Sequence, residues 1–478
     1  MELLLERLEH LVWGWPLLTL LLGTGVYLML RLRFYPILAL PRAMRLLFRG
    51  KKGSGKGVSP FGALCTSLSA TIGTGNVIGV ATALTLGGPG ALLWMELSAV
   101  TGLSLKYVEG LLSIRYRERG PDGLWRGGPS VYILRGLGRR GKPLALAFAC
   151  FGALAGLCGV GTFVQIGSVS ACLSVLLSKL GQGMTVIVLA SGRKVPLAAV
   201  CVGIAFSVLT GLVIFGGIRR VSRVSTVLVP VMGGLYLLCC LWILCRFSAQ
   251  IPTALRSVLQ GAFHPVSAAS GLLGTVTAGV SRGVFSHEAG LGTAPIASAS
   301  AEGVSPDEQG LLSMTAIVFD TFLVCTLTGL VLLVTGTDGC GVSAAMQAFA
   351  QGLPFSAGVS MSLLVGMLTL FSFTTVIGWS CYGTACLDVL TGGNRFARTC
   401  YLIVYTLTVA AAPWCSARGV WSAANLCNAC MALPNVSAIL LLTPRVGKEA
   451  ARLRDRYASA KKRKNCAKPH DIFPGNVV

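Results

Sequence analysis

The chain has 478 residues, of which 54% are hydrophobic and 12% are charged, whereas an ordinary soluble domain is roughly 25% charged. This composition excludes a soluble globular enzyme. Uncharged runs of more than twenty residues also exclude an outer-membrane barrel, whose strands alternate apolar and polar residues. Because one bilayer-spanning helix needs about 20 apolar residues, we predict an all-α polytopic membrane protein. The net charge is +23, which the membrane topology explains better than nucleic-acid binding does.

The uncharged segments predict eleven transmembrane helices. We expect the first to be retained and not cleaved, because Glu2 and Glu6 stand where a signal peptide carries basic residues. The predicted spans are 11–30, 58–84, 91–114, 143–178, 195–217, 224–245, 268–300, 309–335, 357–387, 399–417 and 419–444.

The Lys and Arg residues predict the orientation, because they concentrate in cytoplasmic loops. With the N-terminus outside, cytoplasmic segments hold 31 of the 40 basic residues and outside segments hold seven. We therefore expect a protein of the plasma (inner) membrane with a cytoplasmic C-terminus. The basic tail then lies beside anionic lipid headgroups, where each charge is worth about 1 kcal/mol. Nucleic-acid binding by this tail is the weaker alternative.

Two predicted spans contain polar and glycine-rich sequence where a continuous helix is disfavoured. Residues 70–79 of the second span carry three glycines and Asn76, and residues 282–292 of the seventh span carry three glycines among charged side chains. Each glycine costs a helix about 1 kcal/mol relative to alanine, so both helices are expected to unwind. Unwound backbone at membrane depth must line a cavity or be buried, and its amides attract a carboxylate while its carbonyls attract a cation. Close helix packing through small residues is the alternative interpretation.

The two breaks lie five helices apart, the spacing of a five-plus-five inverted repeat. We therefore divide the chain into an extra N-terminal helix with a basic linker (1–57), a first five-helix repeat (58–247), a second five-helix repeat (248–444) and a basic cytoplasmic tail (445–478).

Seven sequence blocks carry a family resemblance. They are Gly73 to Val80, Gly87 to Gly90 with Trp94 and Met95, Gly127 to Pro129, Arg282 to Ser286, Glu288 to Gly290, Phe373 to Thr375 with Gly378 and Trp379, and Met431 to Asn435. With these blocks the sequence resembles the alanine or glycine:cation symporter family, of the amino acid-polyamine-organocation superfamily, with the leucine-transporter type of fold. The resemblance implies sodium-coupled import of a small neutral amino acid such as alanine or glycine by alternating access, with no cofactor beyond the co-transported sodium.

The resemblance also implies two sets of site residues. The substrate-binding set comprises Thr74, Gly75, Asn76, Gln165, Phe285, Ser286, His287 and Trp379, and the sodium-binding set comprises Ser69, Ile72, Thr374 and Thr375. The carboxylate is expected against the amides near Asn76, and the amino group near the second break. The hydroxyls of Thr374 and Thr375 have an alternative role as donors to carbonyls of their own helix.

Four residues depart from the family pattern near the implied site. His287 and Gly167 stand where the family has Asn, Thr162 stands where the family has Asn before the Gln, and Asn425 stands where Asp is expected. His287 titrates near neutral pH, which keeps a proton-coupled amino acid transporter as the alternative function. A receptor or channel is the more distant alternative.

Six charged residues fall inside predicted spans, where a central charge costs at least about 2.5 kcal/mol. They are Glu96, Lys106, Glu109, Arg282, Glu288 and Asp320. Lys106 and Glu109 can pair with each other because they lie three residues apart on one helix. The sequence does not define the partners of the others.

Overall fold

The computed structural model describes residues 8, 12–48, 57–120, 123–181, 185–188, 194–263, 271–337, 341–415 and 417–466 of the chain, and these are almost entirely helical. The helices of the first half are α1 (Trp15–Arg31), α2 (Tyr35–Leu38), α3 (Leu40–Phe48), α4 (Pro60–Thr71), α5 (Val80–Gly87), α6 (Ala91–Arg115), α7 (Pro129–Leu137), α8 (Lys142–Cys158), α9 (Phe163–Lys179), α10 (Leu197–Ile214) and α11 (Gly217–Arg246).

The second half continues the helical pattern. Its helices are α12 (Ile251–Phe263), α13 (Gly271–His287), α14 (Ala294–Ser298), α15 (Pro306–Ile317), α16 (Thr326–Thr335), α17 (Val342–Gly352), α18 (Ala357–Thr391), α19 (Arg395–Ala411) and α20 (Ala417–Cys466). Two π-helical stretches interrupt this pattern, at Gly75–Gly79 and Val318–Cys325.

Two short antiparallel strand pairs lie between consecutive helices, one between α6 and α7 and the other between α9 and α10. Strand β1 (Glu118–Arg119) pairs with β2 (Trp125–Arg126), and β3 (Val186–Val188) pairs with β4 (Lys194–Pro196). The β1–β2 hairpin lies beside the C-terminal end of α18, where Asp388 pairs with Arg126 at 3.3 Å and also with Arg398 of α19. This ionic cluster ties three segments together.

Seven helical segments of the described residues are long and apolar enough to cross a membrane, and the bent pair α4 and α5 makes an eighth. Helix α1 is apolar but has only 17 residues. The outer faces of the bundle are apolar: Leu212 of α10, Leu238 of α11 and Leu407 of α19 are each more than 60% exposed. Such faces suit lipid contact, so the chain is a multi-pass membrane protein. The count of eleven spans and the orientation stay predictions.

Local sequence explains where the helices near the centre of the bundle begin. Ser59 caps α4 by accepting a hydrogen bond from the Gly62 amide at 3.0 Å, and Pro60 follows at the first helical position. Helix α15 begins with a capping box between Ser305 and Glu308, which satisfies two backbone donors at once. Helix α4 packs against α11 and α18, while α6 packs against α13 and α15.

The segment 143–178, predicted as one continuous span, is interrupted at residues 159–162 between α8 and α9. The interruption allows a close approach, because a Cβ at Gly161 would lie 2.6 Å from the Cβ of Trp379. The phenol of Tyr405 donates a hydrogen bond to the Gly161 carbonyl at 2.9 Å. A side chain packed from α18 therefore fixes this break, which the local sequence alone did not define.

Candidate functional site

The first predicted break is present between α4 and the helical segment Gly75–Gly87, which contains α5, and the two axes differ by 53°. The helix ends because Ile72 adopts an extended conformation, with ψ 96°, and the chain resumes as the π-helical stretch at Gly75. Among the described residues, the amides of Thr74 and Gly75 donate no backbone hydrogen bond. The break therefore presents free donors in the membrane interior, as a helix N-terminus does.

Asn76 holds this break in shape and joins it to distant helices. Its Oδ1 accepts a hydrogen bond from the Gly73 amide at 3.0 Å, and its Nδ2 donates to Ser286 Oγ at 2.9 Å and to Asp320 Oδ1 at 2.6 Å. Ser286 in turn donates to Asp320 Oδ2 at 2.7 Å. The Asn76 side chain is thus occupied within the protein, and the three residues form a buried polar triad.

Gln165 of α9 lies against the first break. Its Oε1 accepts a hydrogen bond from Thr74 Oγ1 at 3.2 Å, and it would lie 3.4 Å from a Cβ at Gly73. Phe285 lies on the other side, because its ring would be 3.4 Å from a Cβ at Gly75. The structure therefore brings together the first break, Gln165, Phe285 and Ser286.

The second break lies later in the chain than the sequence predicted. Helix α13 continues through His287, so Phe285 and Ser286 belong to its last turn and not to unwound backbone. The break comprises residues 288–293, with φ values of 51° at Glu288, 87° at Gly290 and 83° at Gly292. Left-handed backbone costs glycine little, and these glycines move the turn to the C-terminal side of His287.

The structure does not bring His287 to the first break. Its Nδ1 accepts a hydrogen bond from the Ala289 amide at 3.0 Å, and its Nε2 lies 3.4 Å from Ser98 Oγ on α6. A Cβ at Gly102 would lie 3.2 Å from its ring. His287 therefore faces α6, and the accepting Nδ1 favours the neutral tautomer with its proton on Nε2.

Two of the four predicted cation ligands, Ile72 and Thr375, lie against each other across α4 and α18. A third, Ser69, faces α18 at Gly378, while its hydroxyl donates to the Thr66 carbonyl. Thr375 Oγ1 lies 3.5 Å from the Ile72 carbonyl oxygen, and a Cβ at Gly378 would lie 2.9 Å from Ser69 Oγ. Two oxygens that bind one hard cation at right angles are about 3.4 Å apart at the metal distances typical of calcium. The spacing therefore suits a shared cation.

Thr374, the fourth predicted ligand, faces another way. Its hydroxyl donates to the Phe371 carbonyl at 2.9 Å and lies 3.5 Å from the sulfur of Met232 on α11. Thr375 also donates to the Phe371 carbonyl, at 3.0 Å. Both hydroxyls therefore make the bonds within their own helix that the alternative interpretation predicts, but only Thr375 also lies against the first break.

Trp379 is fully buried one turn beyond Thr375. Its ring packs edge-on against Tyr382 with centroids 5.6 Å apart, and its Nε1 has no hydrogen-bond partner among the described residues. It therefore lines the interior between α18 and the interruption near Gly161.

Sequence reasoning noted Asp320 and Glu109 as buried charges, found no partner for Asp320 and paired Glu109 with Lys106, whose Nζ has no hydrogen-bond partner among the described residues. Asp320 lies in the π-helical stretch Val318–Cys325, which suggests a functional role because π-bulges are frequent at such sites. Glu109 accepts a hydrogen bond from the Gly292 amide at 3.1 Å. A charge predicted inside a membrane span was the signal that identified both residues.

Comparison with known proteins identifies the family. The model of the sodium:alanine symporter family matches residues 1–469. The chain belongs to this family. An uncharacterized transporter of Haemophilus influenzae is 41% identical over 448 residues, covering 92% of this chain and 93% of the relative. The sodium/alanine symporter AgcS of Methanococcus maripaludis is 39% identical over 455 residues, covering 92% and 94%.

These two relatives are thus similar to this chain over nearly their whole length. Among solved structures, the crystal structure of MhsT in complex with L-phenylalanine has a TM-score of 0.55 at 13% identity and covers 82% of this chain and 90% of that one. This likeness shows that the chain has the leucine-transporter type of fold.

Proposed function

We propose that this protein is a sodium-coupled symporter that imports small neutral amino acids, alanine and glycine among them, by alternating access around the two helix breaks. The observation that carries the proposal is the direct link between the breaks: Asn76 beside the first contacts Ser286 next to the second, and both contact Asp320. A ligand bound at one break therefore changes the environment of the other. In this proposal the chain has eleven spans in two inverted repeats plus an extra helix, and lies in the inner membrane with its N-terminus outside.

The substrate carboxylate is proposed to bind the free amides of Thr74 and Gly75. Gly75 leaves room there, because the nearest atoms to a Cβ at this position belong to the Phe285 ring, at 3.4 Å. Asn76 acts through the shape of the break, since its own amide group is already bonded to Ser286 and Asp320. Gln165 would limit the size of the substrate, because its Oε1 lies 3.2 Å from Thr74 Oγ1, whereas Trp379 lies at the interruption near Gly161 and stays a predicted contact.

Sodium is proposed to bind between Ile72 and Thr375, with Ser69 beside them. The proton-coupled alternative depended on His287, which would need to lose the Ala289 bond on Nδ1 to gain a proton there. This geometry favours sodium as the coupling ion.

Purified protein in proteoliposomes should accumulate labelled alanine and glycine when sodium is present outside. Replacing sodium with choline should reduce initial uptake at least about tenfold, because the amino acid site then lacks its coupled cation. Alanine amide, which lacks the carboxylate, should compete poorly with alanine.

Two results would contradict this function. Uptake that is unchanged in choline but collapses with a proton ionophore would establish the proton-coupled alternative. Competition by alanine amide equal to that of alanine would remove the Thr74 and Gly75 amides from carboxylate binding.

The two threonines of α18 should differ in their effect on sodium. Thr375→Val keeps the side-chain volume but removes the oxygen near Ile72, so we expect the half-saturating sodium concentration to rise about tenfold, the effect of losing roughly 1.4 kcal/mol of binding. Thr374→Val removes a hydroxyl that faces Met232 and should have a smaller effect. Sodium titration of initial alanine uptake measures both.

Thr384→Val is the matched control, because Thr384 lies on the same helix and, among the described residues, its hydroxyl donates to two carbonyls of that helix, those of Ser380 and Cys381. Its sodium dependence should match that of the wild type. Equal sodium dependence in Thr375→Val and Thr384→Val would exclude Thr375 from the cation site.

A further inference from the structure

Glu109 of α6, a neighbouring helix, contacts the unwound backbone of the second break. The residue is fully buried, and its Oε1 accepts the Gly292 amide at 3.1 Å. Gly292 is one of the two left-handed glycines in the break, and its amide has no helix carbonyl to bond. A carboxylate acceptor makes a stronger hydrogen bond than a neutral one. Glu109 thus satisfies a backbone donor that the break itself creates.

Asn435 of α20 completes the contact. Its Nδ2 donates to the Gly290 carbonyl at 2.8 Å and to Glu109 Oε1 at 2.7 Å, and its Oδ1 accepts the phenol of Tyr132. Two peptide groups of the break, one acceptor and one donor, are therefore held by two side chains that contact each other. We call Glu109, Asn435 and Tyr132 the break clip.

Lys106 balances the charge of the clip. It lies one turn before Glu109 on α6, is fully buried, and its Nζ has no hydrogen-bond partner among the described residues. It lies within Coulombic reach of Glu109 and of Glu288 in the break. Among the described residues Lys106 makes no direct ion pair, and a buried charge is costly unless a charge of opposite sign lies nearby. Lys106 and Glu109 must therefore be considered together.

Helix α14 follows the break directly and is only five residues long. Such a short helix has little stability of its own, so its position depends on the backbone that precedes it. Glu288 adds a second link, because its Oε2 accepts the Thr293 hydroxyl at 2.5 Å across the break. The geometry of the break therefore helps to set where α14 lies, together with the packing of α14 against α6 and α4.

We propose that Glu109 is a positioning residue for transport, which holds the second break through Gly292 and Asn435 so that α14 moves as one unit during the transport cycle. This inference rests on the proposed function. Glu109 does not contact the first break in the described structure, so it sets the rate of the conformational step and not the affinity for the amino acid.

Glu109→Gln tests this role. The substitution keeps an oxygen that can accept the Gly292 amide but replaces a charged acceptor with a neutral one, which weakens the bonds to Gly292 and Asn435, and it removes one of the two negative charges near Lys106. We expect the maximal rate of alanine uptake in proteoliposomes to fall about tenfold. The alanine dissociation constant of the detergent-solubilised protein should change less than about threefold, because a variant that loses affinity and rate together has a defect in the amino acid site itself.

The double variant Lys106→Met/Glu109→Gln removes both charges and keeps the acceptor. We expect its maximal rate to recover to within about threefold of wild type, the non-additivity of a coupled pair. Glu118→Gln is the control, because Glu118 is an exposed carboxylate of β1 that bonds the exposed Arg135 of α7 at 2.6 Å; its rate should match wild type. Tyr132→Phe, which removes one hydroxyl from the clip and no charge, should lower the rate by a smaller factor and serves if Glu109→Gln does not yield folded protein.

Three outcomes would overturn the inference. They are a wild-type rate in both Glu109→Gln and Tyr132→Phe, a loss of alanine affinity that parallels the loss of rate, and a double variant no faster than Glu109→Gln. These outcomes leave the proposed function intact if the wild type shows sodium-driven alanine uptake. A wild type without such uptake overturns the function and this inference together.

Discussion

Asn76→Asp is expected to abolish measurable transport. The Asn76 Nδ2 lies 2.6 Å from Asp320 Oδ1, so the substitution replaces a hydrogen bond with two buried carboxylates in contact. An uncompensated buried charge costs about 3–5 kcal/mol, which corresponds to a loss of uptake of at least about 100-fold. Initial rates of sodium-driven alanine uptake by equal amounts of reconstituted protein measure the effect.

The charge-swapped variant Asn76→Asp/Asp320→Asn is the matched control. The carboxylate at position 76 still accepts the Gly73 amide, and the amide at position 320 now donates the bond across the triad. We expect the swap to restore at least about a tenth of the wild-type rate, because the coupling within a pair in direct contact is not additive. A swap no more active than Asn76→Asp would mean that the position of the negative charge, and not the pairing, is essential.

Gly73→Ala should strongly lower the apparent affinities of the protein for both sodium and alanine. The added Cβ would lie 3.0 Å from Thr375 Oγ1 and 3.4 Å from Gln165 Oε1, which places a methyl group between the proposed sodium and amino acid sites. Gly73 is not in the left-handed region, so the backbone itself tolerates alanine. We expect the half-saturating sodium concentration to rise about tenfold or more, equivalent to roughly 1.4 kcal/mol, in a titration of alanine uptake.

Gly79→Ala provides the comparison within the same broken helix. A Cβ at Gly79 would meet nothing within 4 Å, so uptake and its sodium dependence should equal those of the wild type. Alanine lowers the conformational entropy of the unfolded chain relative to glycine. The free energy of unfolding should therefore rise slightly, by about 0.4–1 kcal/mol. Equal impairment of both variants would mean that flexibility of the broken helix, and not space at Gly73, is what transport requires.

The sequence predicted those features of the fold that depend on local chemistry. The first break followed from three glycines within seven residues, since no continuous helix is favoured there. The family resemblance located the threonine pair of α18, and Thr375 does lie against Ile72. The structure also has the leucine-transporter type of fold that the resemblance implied.

Features that depend on long-range contacts were not predictable. The partners of Asn76 lie 210 and 244 residues away in the chain, so the sequence offered no reason to expect its amide to be occupied. The interruption near Gly161 is fixed by Trp379 and Tyr405 from other helices. Local hydropathy described that segment correctly as apolar but could not show where its helix is interrupted by contacts with other helices.

Helix α18 has 35 residues, which corresponds to a length of about 52 Å at 1.5 Å per residue. The hydrocarbon core of a bilayer is about 30 Å thick, so α18 must tilt or project into the headgroup layers. Thr375 lies near the middle of the helix, and Asp388 lies about 20 Å further along it. With Thr375 at the bilayer centre, the ionic cluster of Asp388, Arg126 and Arg398 lies at headgroup depth, where water and phosphates surround it. Bilayer thickness therefore determines whether this end of α18 lies in the hydrocarbon core or in the headgroup layer. A thicker bilayer would change the surroundings of the ionic cluster, whereas Thr375 would stay in the hydrocarbon core.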